Sequence, residues 1–446
     1  MPHPPACAAR LLLALGLLAA ALAPPGQAQE PAPIYDEAKV PDYTLPPLLT
    51  GANGDSVRTA EAWWTARRPR LLRQFRTHVY GDLPPLLPAF RVETHEETAE
   101  ALDGTATRRQ VTLHFTDGPD GPQLDLLVYT PNDVEGPVPV FAGLNFAGNH
   151  TVAAAPGIRL PDGWVPDWGD VPADSGRAVP AARGARERRW PVEQIVGRGY
   201  GLITAYYGDL FLDRADGFAE SVYQLAPDAA DLDTNGGDWS AISAWAWGLH
   251  RMVDFAVRAD AIDDDRVMAV GHSRLGKAAL WAGATDRRIA AVLDNASGAG
   301  GSALFRRRYG ERVVHIDTAF PHWFGDAFTQ YRENESALPV DQHQLLALIA
   351  PRPLLVSPKS EDRWADPRGM FLSARHAAPA WRLLGHEGLA ADAMPAPDAP
   401  VLSRVGFFLR PGEHDLLSAD WAVFLDFADR HLGPPSSRSR PGTGHH

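Results

Sequence analysis

The chain has 446 residues, of which 45% are hydrophobic and 22% charged; this is a globular composition, and it excludes disorder, collagen and coiled coil as descriptions of the whole. Lys and Arg number 42 against 55 Asp and Glu, a formal net charge of −13, so the chain lacks the basic face that a nucleic-acid binder or a peripheral membrane protein uses. Its one cysteine, Cys7, leaves no disulfide framework, CxxC zinc site or thiol nucleophile further along.

Residues 1–28 read as a secretory signal. Arg10 precedes the apolar run Leu11 to Leu22, Pro24-Pro25-Gly26 breaks it, and Ala28 is the expected last residue before cleavage. The run is too short to span a bilayer, so the mature protein is expected to be secreted or periplasmic. Residues 29–58 are Pro-rich and read as an extended arm, 59–433 as one α/β domain, and 434–446 as a disordered Ser/Pro/Arg-rich tail. Within the domain, Ala60 to Gly81 repeats Trp63, Trp64, Leu71, Leu72 and Phe75 near helical spacing. Arg108 to Phe115 alternates with period two, while Leu124 to Tyr129 and Pro139 to Leu144 are denser apolar strands. Gly201 to Tyr206 is a strand, Ser240 to Arg258 a helix, Val267 to Val270 a strand, and a helix runs through Lys277 to Ala282. Strands at Ile289 to Leu293 and Pro353 to Val356 flank a helix at Leu345 to Ile349. Val405 to Leu409 is the last strand and Trp421 to His431 a closing helix. Such alternation implies a mainly parallel sheet covered on both faces. Two stretches break it: 148–190, rich in Gly, Pro, Asp and Trp, and 378–401, rich in Ala and Pro. Loops of this length often wall an active site, and thirteen Trp in the chain suit a sugar-facing cleft.

The sharpest motif is Val270-Gly271-His272-Ser273-Arg274-Leu275-Gly276-Lys277. An apolar strand runs into Gly-His-Ser and then a helix, the setting of a nucleophile elbow, where a sharp turn exposes a serine hydroxyl. The second glycine falls one residue later than in G-x-S-x-G. A base and an orienting acid are required downstream, and α/β-hydrolases order them Ser, acid, His. The loop after the 353–356 strand holds Ser360-Glu361-Asp362-Arg363-Trp364-Ala365-Asp366; the segment after the last strand holds Gly412-Glu413-His414. Ser273, Asp362 and His414 stand in hydrolase order, each past a strand. Glu361 and Asp366 remain alternative acids.

With its displaced glycine, Gly271-His272-Ser273-Arg274-Leu275-Gly276-Lys277 resembles the elbow G-x-S-R-x-G-K of the glucuronoyl esterases, carbohydrate esterase family fifteen. Further likenesses follow in order: Asn145 to His150, Ser297-Gly298-Ala299-Gly300-Gly301, Gly310-Glu311, Pro321-His322-Trp323-Phe324, Leu338 to His343, Trp364-Ala365-Asp366-Pro367 and Gly412-Glu413-His414. The resemblance implies an α/β-hydrolase three-layer sandwich with long loops around the active site. It implies a serine esterase that cleaves esters between glucuronic or 4-O-methylglucuronic acid on xylan and lignin alcohols, through an acyl-enzyme and without cofactor or metal. By the same resemblance Ser273 is the nucleophile, His414 the base, Asp362 the triad acid and Arg274 an oxyanion donor, while Lys277, Glu311 and Trp364 hold the uronate ring. One departure stands out. Many members carry a Glu before the glycine-rich segment, and here that position is Ala296. The partners expected are a glucuronoxylan–lignin ester and neither nucleic acid nor, once the signal is removed, membrane; a monomer is expected. The alternatives are an acetyl or feruloyl esterase on plant polysaccharide, and a non-catalytic carbohydrate-binding homologue.

Overall fold

Along the central strands, alternate side chains enter two different cores. Val267 and Ala269 join one buried cluster while Met268 and Val270 join the other; Leu354 and Val356 face one and Leu355 the other. A strand buried on both faces reads as a continuous apolar run, which is why these were visible in sequence. The structure is a computed structural model and describes residues 31–85, 89–118, 121–227 and 238–435. The expected signal segment and residues 436–446 of the expected tail lie outside the described residues. The fold below belongs to the unit that begins at Pro33.

Among the described residues nine strands form the sheet: β1 Arg91–Glu100, β2 Ala106–His114, β3 Gln123–Pro131, β4 Val138–Asn145, β5 Gly201–Tyr206, β6 Ile262–His272, β7 Ala291–Asn295, β8 Leu354–Ser357 and β9 Val405–Phe407. Their order is β1-β2-β3-β5-β4-β6-β7-β8-β9. β1, β2 and β3 pair antiparallel in turn, and β3 is antiparallel to β5. From β5 onward every pair is parallel. The loops after β6, β7, β8 and β9 therefore leave the sheet on one side.

Among the described residues after β4, the helices are α1 Val192–Gly197, α2 Ala241–Ala256, α3 Arg274–Thr285, α4 Val313–Ala319, α5 Gln342–Ala347, α6 Pro367–Ala377, α7 Pro379–Leu383 and α8 Ser418–Leu432. α2, α3, α5 and α6 pack on one face of the sheet with the helical run over residues 60–80; α1 and α8 cover the other. This is the three-layer α/β-hydrolase arrangement, with β1 added at its edge. In the run over 60–80 a π-turn, Trp63–Arg67, ends two residues before Pro69; proline has no N–H to donate, and a wider turn there absorbs the disruption. Among the described residues no helix is long and apolar enough to cross a membrane.

Three elements depart from expectation. β1 was not anticipated: its sequence RVETHEETAE is exposed on both faces and bulges between Thr94 and Glu96, so no period-two apolar signal exists to be read. α6 and α7 open with Pro367 and Pro379. Both prolines sit in the first turn, where a missing N–H costs nothing, so the second irregular stretch starts as helix. The 148–190 stretch carries a two-strand ribbon, Ala173–Asp174 with Arg177–Ala178, and is pinned by the Arg186–Asp170 pair at 2.7 Å.

Candidate active site

The turn from β6 into α3 bends through Ser273 at φ 57°, ψ −128°. Positive φ in a non-glycine residue is strained, and two glycines make the turn possible. A Cβ on Gly271 would lie 2.0 Å from the Leu275 carbonyl oxygen; one on Gly276 would lie 2.8 Å from Asp294 Oδ1 and 3.0 Å from Ser297 Cβ. Gly276 thus lets the first turn of α3 press against the end of β7, which explains the displaced second glycine. The elbow is fastened by Ser273 N donating to Asn295 O at 2.8 Å and by Gly276 N donating to Ser273 O at 2.9 Å. Ser273 itself is half-buried.

Asp362 and His414, 52 residues apart, come together beside His272. His414 Nδ1 donates to Asp362 Oδ2 at 2.5 Å, which leaves Nε2 as the ring's other nitrogen. The His414 ring lies 4.7 Å from that of His272, the neighbour of Ser273. Glu361 is exposed, and Asp366 is taken up by Arg307 at 2.8 Å and by the start of α6. Of the three acids, the one on the imidazole is Asp362.

The two loops are spliced together. Arg410 N donates to Pro358 O, Ser360 N to Arg410 O, Glu361 N to Gly412 O, and Gly412 N to Ser360 Oγ. Beneath them the fully buried Asp420 accepts from Lys359 Nζ and from Leu417 N at 3.0 Å, and it is ion-paired with Arg410, whose Nε lies 2.9 Å away. Burial pushes Lys359 down to about 8, with Asp420 opposing. The Arg410 guanidinium then donates to the carbonyls of Pro411, Glu413 and Asp415, at 2.7, 2.8 and 3.0 Å. His414 is bracketed by two of these.

Arg274 is held by a cluster that the sequence did not reveal. It is paired with Asp213 and lies 4.6 Å over the Trp323 ring and 5.2 Å over Phe320. Asp213 also accepts from His322 at 2.8 Å and Trp323 Nε1 at 2.7 Å. Burial works to raise this carboxyl, but those hydrogen bonds and the Arg274 charge prevail and bring it down to about 2. The only signal available was position, since Asp213 follows β5 on the side of the sheet where the other loops emerge. Arg274 Nε is buried without a hydrogen-bond partner.

Lys277, Glu311 and Trp364 come together beside the elbow. Buried Lys277 donates to Ser297 O at 2.6 Å and Ala299 O at 2.7 Å, and Glu311 Oε2 lies 3.8 Å away. Burial lowers Lys277 and Glu311 works against it. Glu311 N donates to Trp364 O at 2.9 Å, and the exposed Trp364 ring stands 5.2 Å from His315. Two further histidines are engaged within the fold: His343 Nε2 bonds Pro46 O and His315 Nδ1 accepts from Arg312 N.

Ala296 is buried at φ 52° just past β7. The nearby Asp294 lies under the elbow, accepting from Ser302 Oγ at 2.5 Å, and burial pushes it up to about 6. The native state therefore holds this proton to higher pH than the unfolded chain, whose carboxyl titrates near 4. Stability falls as pH rises from about 4 to 6, and the cost is fully present above 6. Asp294→Asn is expected to stabilise the protein at pH 7.5 by on the order of 2 kcal/mol. The gain should disappear at pH 4, as thermal melts at the two pH values will read. Equal melts at pH 7.5 would show that Asp294 is not carrying a buried charge.

Residues 231–385 match the family model described as glucuronyl esterase, fungi. The chain is 42% identical over 401 residues to the carbohydrate esterase MZ0003 of an unknown prokaryotic organism, spanning 89% of this chain and 92% of that protein. It is 29% identical over 392 residues to the 4-O-methyl-glucuronoyl methylesterase of Phanerochaete carnosa, across 84% of this chain and 81% of that one. Among solved structures, the glucuronoyl esterase from Solibacter usitatus superposes with a TM-score of 0.84 at 41% identity, over 89% of this chain and 100% of that one. A CE15 esterase from a marine bacterial metagenome, described as promiscuous, gives 0.83 at 42% identity, over 90% and 100%.

Proposed function

The chain belongs to carbohydrate esterase family 15, the glucuronoyl esterases, and from this we propose a mechanism in which Ser273, His414 and Asp362 hydrolyse the glucuronoyl ester. The protein is a carboxylic ester hydrolase. The observation that carries the mechanism is the Asp362–His414 bond, with the His414 ring 4.7 Å from that of His272, the neighbour of Ser273. His414 Nε2 takes the proton as Ser273 Oγ attacks the uronoyl carbonyl, and Asp362 fixes the tautomer and stabilises the imidazolium. The tetrahedral oxyanion draws donors from Arg274, held in place by Asp213. Collapse expels the alcohol, which leaves with the proton from His414; water then hydrolyses the acyl-enzyme by the same steps in reverse. Lys277 and Glu311 hydrogen-bond the sugar hydroxyls and Trp364 covers an apolar face of the ring.

The substrate is a glucuronic acid side chain of xylan esterified to an alcohol, as in lignin–carbohydrate linkages. The apolar run Leu11 to Leu22, read as a secretory signal, supports action outside the cytoplasm. An acetyl or feruloyl esterase would leave the Lys277–Glu311 pair without a uronate ring to bind, and a non-catalytic sugar binder would leave the triad without a task. Turnover of methyl glucuronate should exceed acetate release from acetylated xylan by at least tenfold in kcat/KM, a barrier difference of about 1.4 kcal/mol. The reverse preference would overturn the assignment of the acyl group.

A further inference from the structure

The arm before the domain does more than lie across it. Ile34 pairs with Tyr309 in an isolated parallel bridge, and Gly310 N donates to Ile34 O at 2.9 Å. This brings the Tyr35 ring to 6.1 Å from the Tyr309 ring, edge to face. The Arg363 guanidinium lies 4.9 Å over Tyr35 and donates to the Tyr35 carbonyl; its Nε donates to Tyr309 Oη at 3.3 Å, and Tyr309 Oη donates to Tyr35 O at 3.2 Å. Glu37 fixes the arm beyond the rings, pairing with Arg307 at 2.8 Å and Arg368 at 3.2 Å. Arg307 in turn pairs with Asp366, at the head of α6.

These residues adjoin the sugar-holding pair. Tyr309 is two residues before Glu311, and Arg363 is next to Trp364. The two segments touch through the backbone: a Cβ on Gly310, at φ +61°, would lie 2.3 Å from Trp364 O and 2.6 Å from Arg363 O. Tyr35 is 36% and Trp364 41% exposed, and Arg363 is exposed while Tyr309 is half-buried. An exposed aromatic and guanidinium surface fixed from both ends thus continues outward from Trp364.

We propose that Tyr35, Tyr309 and Arg363 form a subsite for the xylan main chain that carries the glucuronate branch. The proposal rests on the reading of Lys277, Glu311 and Trp364 as the uronate site. Glucuronate is esterified at its C6 carboxyl and joined to the main chain at C1, across the ring. With C6 at Ser273, the main chain leaves past the side chains that flank the ring. A neutral pentose chain presents C–H faces, which pack on phenol rings, and hydroxyl oxygens, which accept from guanidinium and phenol. The anchors at Gly310 and Glu37 order the surface before substrate arrives, which limits the entropic cost of binding.

Kinetics of the full enzyme on three substrates test this: methyl glucuronate, benzyl glucuronate and the methyl ester of a glucuronate-bearing xylooligosaccharide. Tyr35→Ala and Arg363→Gln should each lower kcat/KM on the oligosaccharide ester by about five- to tenfold, mainly through KM. Both small esters should stay within about twofold, with thermal midpoints unchanged. Equal losses on all three substrates would show that the arm only braces the loop. A loss confined to benzyl glucuronate would assign the surface to the alcohol. No change on any substrate would also overturn the subsite. Failure of the unaltered enzyme to turn over methyl glucuronate would instead strike the uronate reading on which the proposal rests.

Discussion

Ser273→Ala is expected to lower kcat on methyl glucuronate by roughly 10^5- to 10^6-fold, the scale seen when a triad nucleophile is lost. The turn that presents Ser273 is fastened by backbone bonds to Asn295 and Gly276, which alanine keeps, so the fold should persist. Binding of glucuronic acid, read by calorimetry, should also persist, because the side-chain contacts of Lys277, Glu311 and Trp364 do not involve the Ser273 hydroxyl. Turnover and binding are thereby separated. Activity retained in the alanine variant would remove Ser273 from the chemistry, whatever the shape of the turn.

Asp362→Asn is expected to cost roughly 10^4-fold in kcat with little change in KM. An asparagine at this position can offer an amide hydrogen where the imidazole needs an acceptor, so the ring would flip to the wrong tautomer. Glu361→Gln should be nearly silent, since that side chain is exposed and only its backbone N–H engages the His414 loop. The contrast is sharpened by Ala296. With no carboxylate at that position, none is available there to take over from Asp362. A harmless Asp362→Asn paired with a damaging Glu361→Gln would assign the orienting role to the other carboxylate.

How far the sequence could be read follows from burial. β4 through β8 are apolar on both faces and stood out, and so did the elbow, because its glycines answer local crowding. β1 stayed hidden because a solvated edge strand alternates nothing. α6 and α7 were obscured because Pro367 and Pro379, which look like breakers, open helices. Within the site, the choice among Glu361, Asp362 and Asp366 could not be made from spacing, since it depends on which carboxylate the loop turns toward a ring 52 residues away. The grip of Asp213 on Arg274 and the Asp420 cluster under His414 lay beyond sequence reasoning too. Each joins charges from distant segments, and nothing local distinguishes those residues from solvated ones.

The cross-bonding between the segments following β8 and β9 bears on how this enzyme can change length. Each of Ser360, Glu361 and Gly412 has an assigned counterpart across the gap, so one added residue on either side would slide the carboxyl out of step with the imidazole. Insertions and deletions should therefore be lethal to catalysis between 358 and 362 and between 410 and 414. The excursions over 148–190 and 384–401 carry none of Ser273, His414 or Asp362, and length changes within them should leave that register intact.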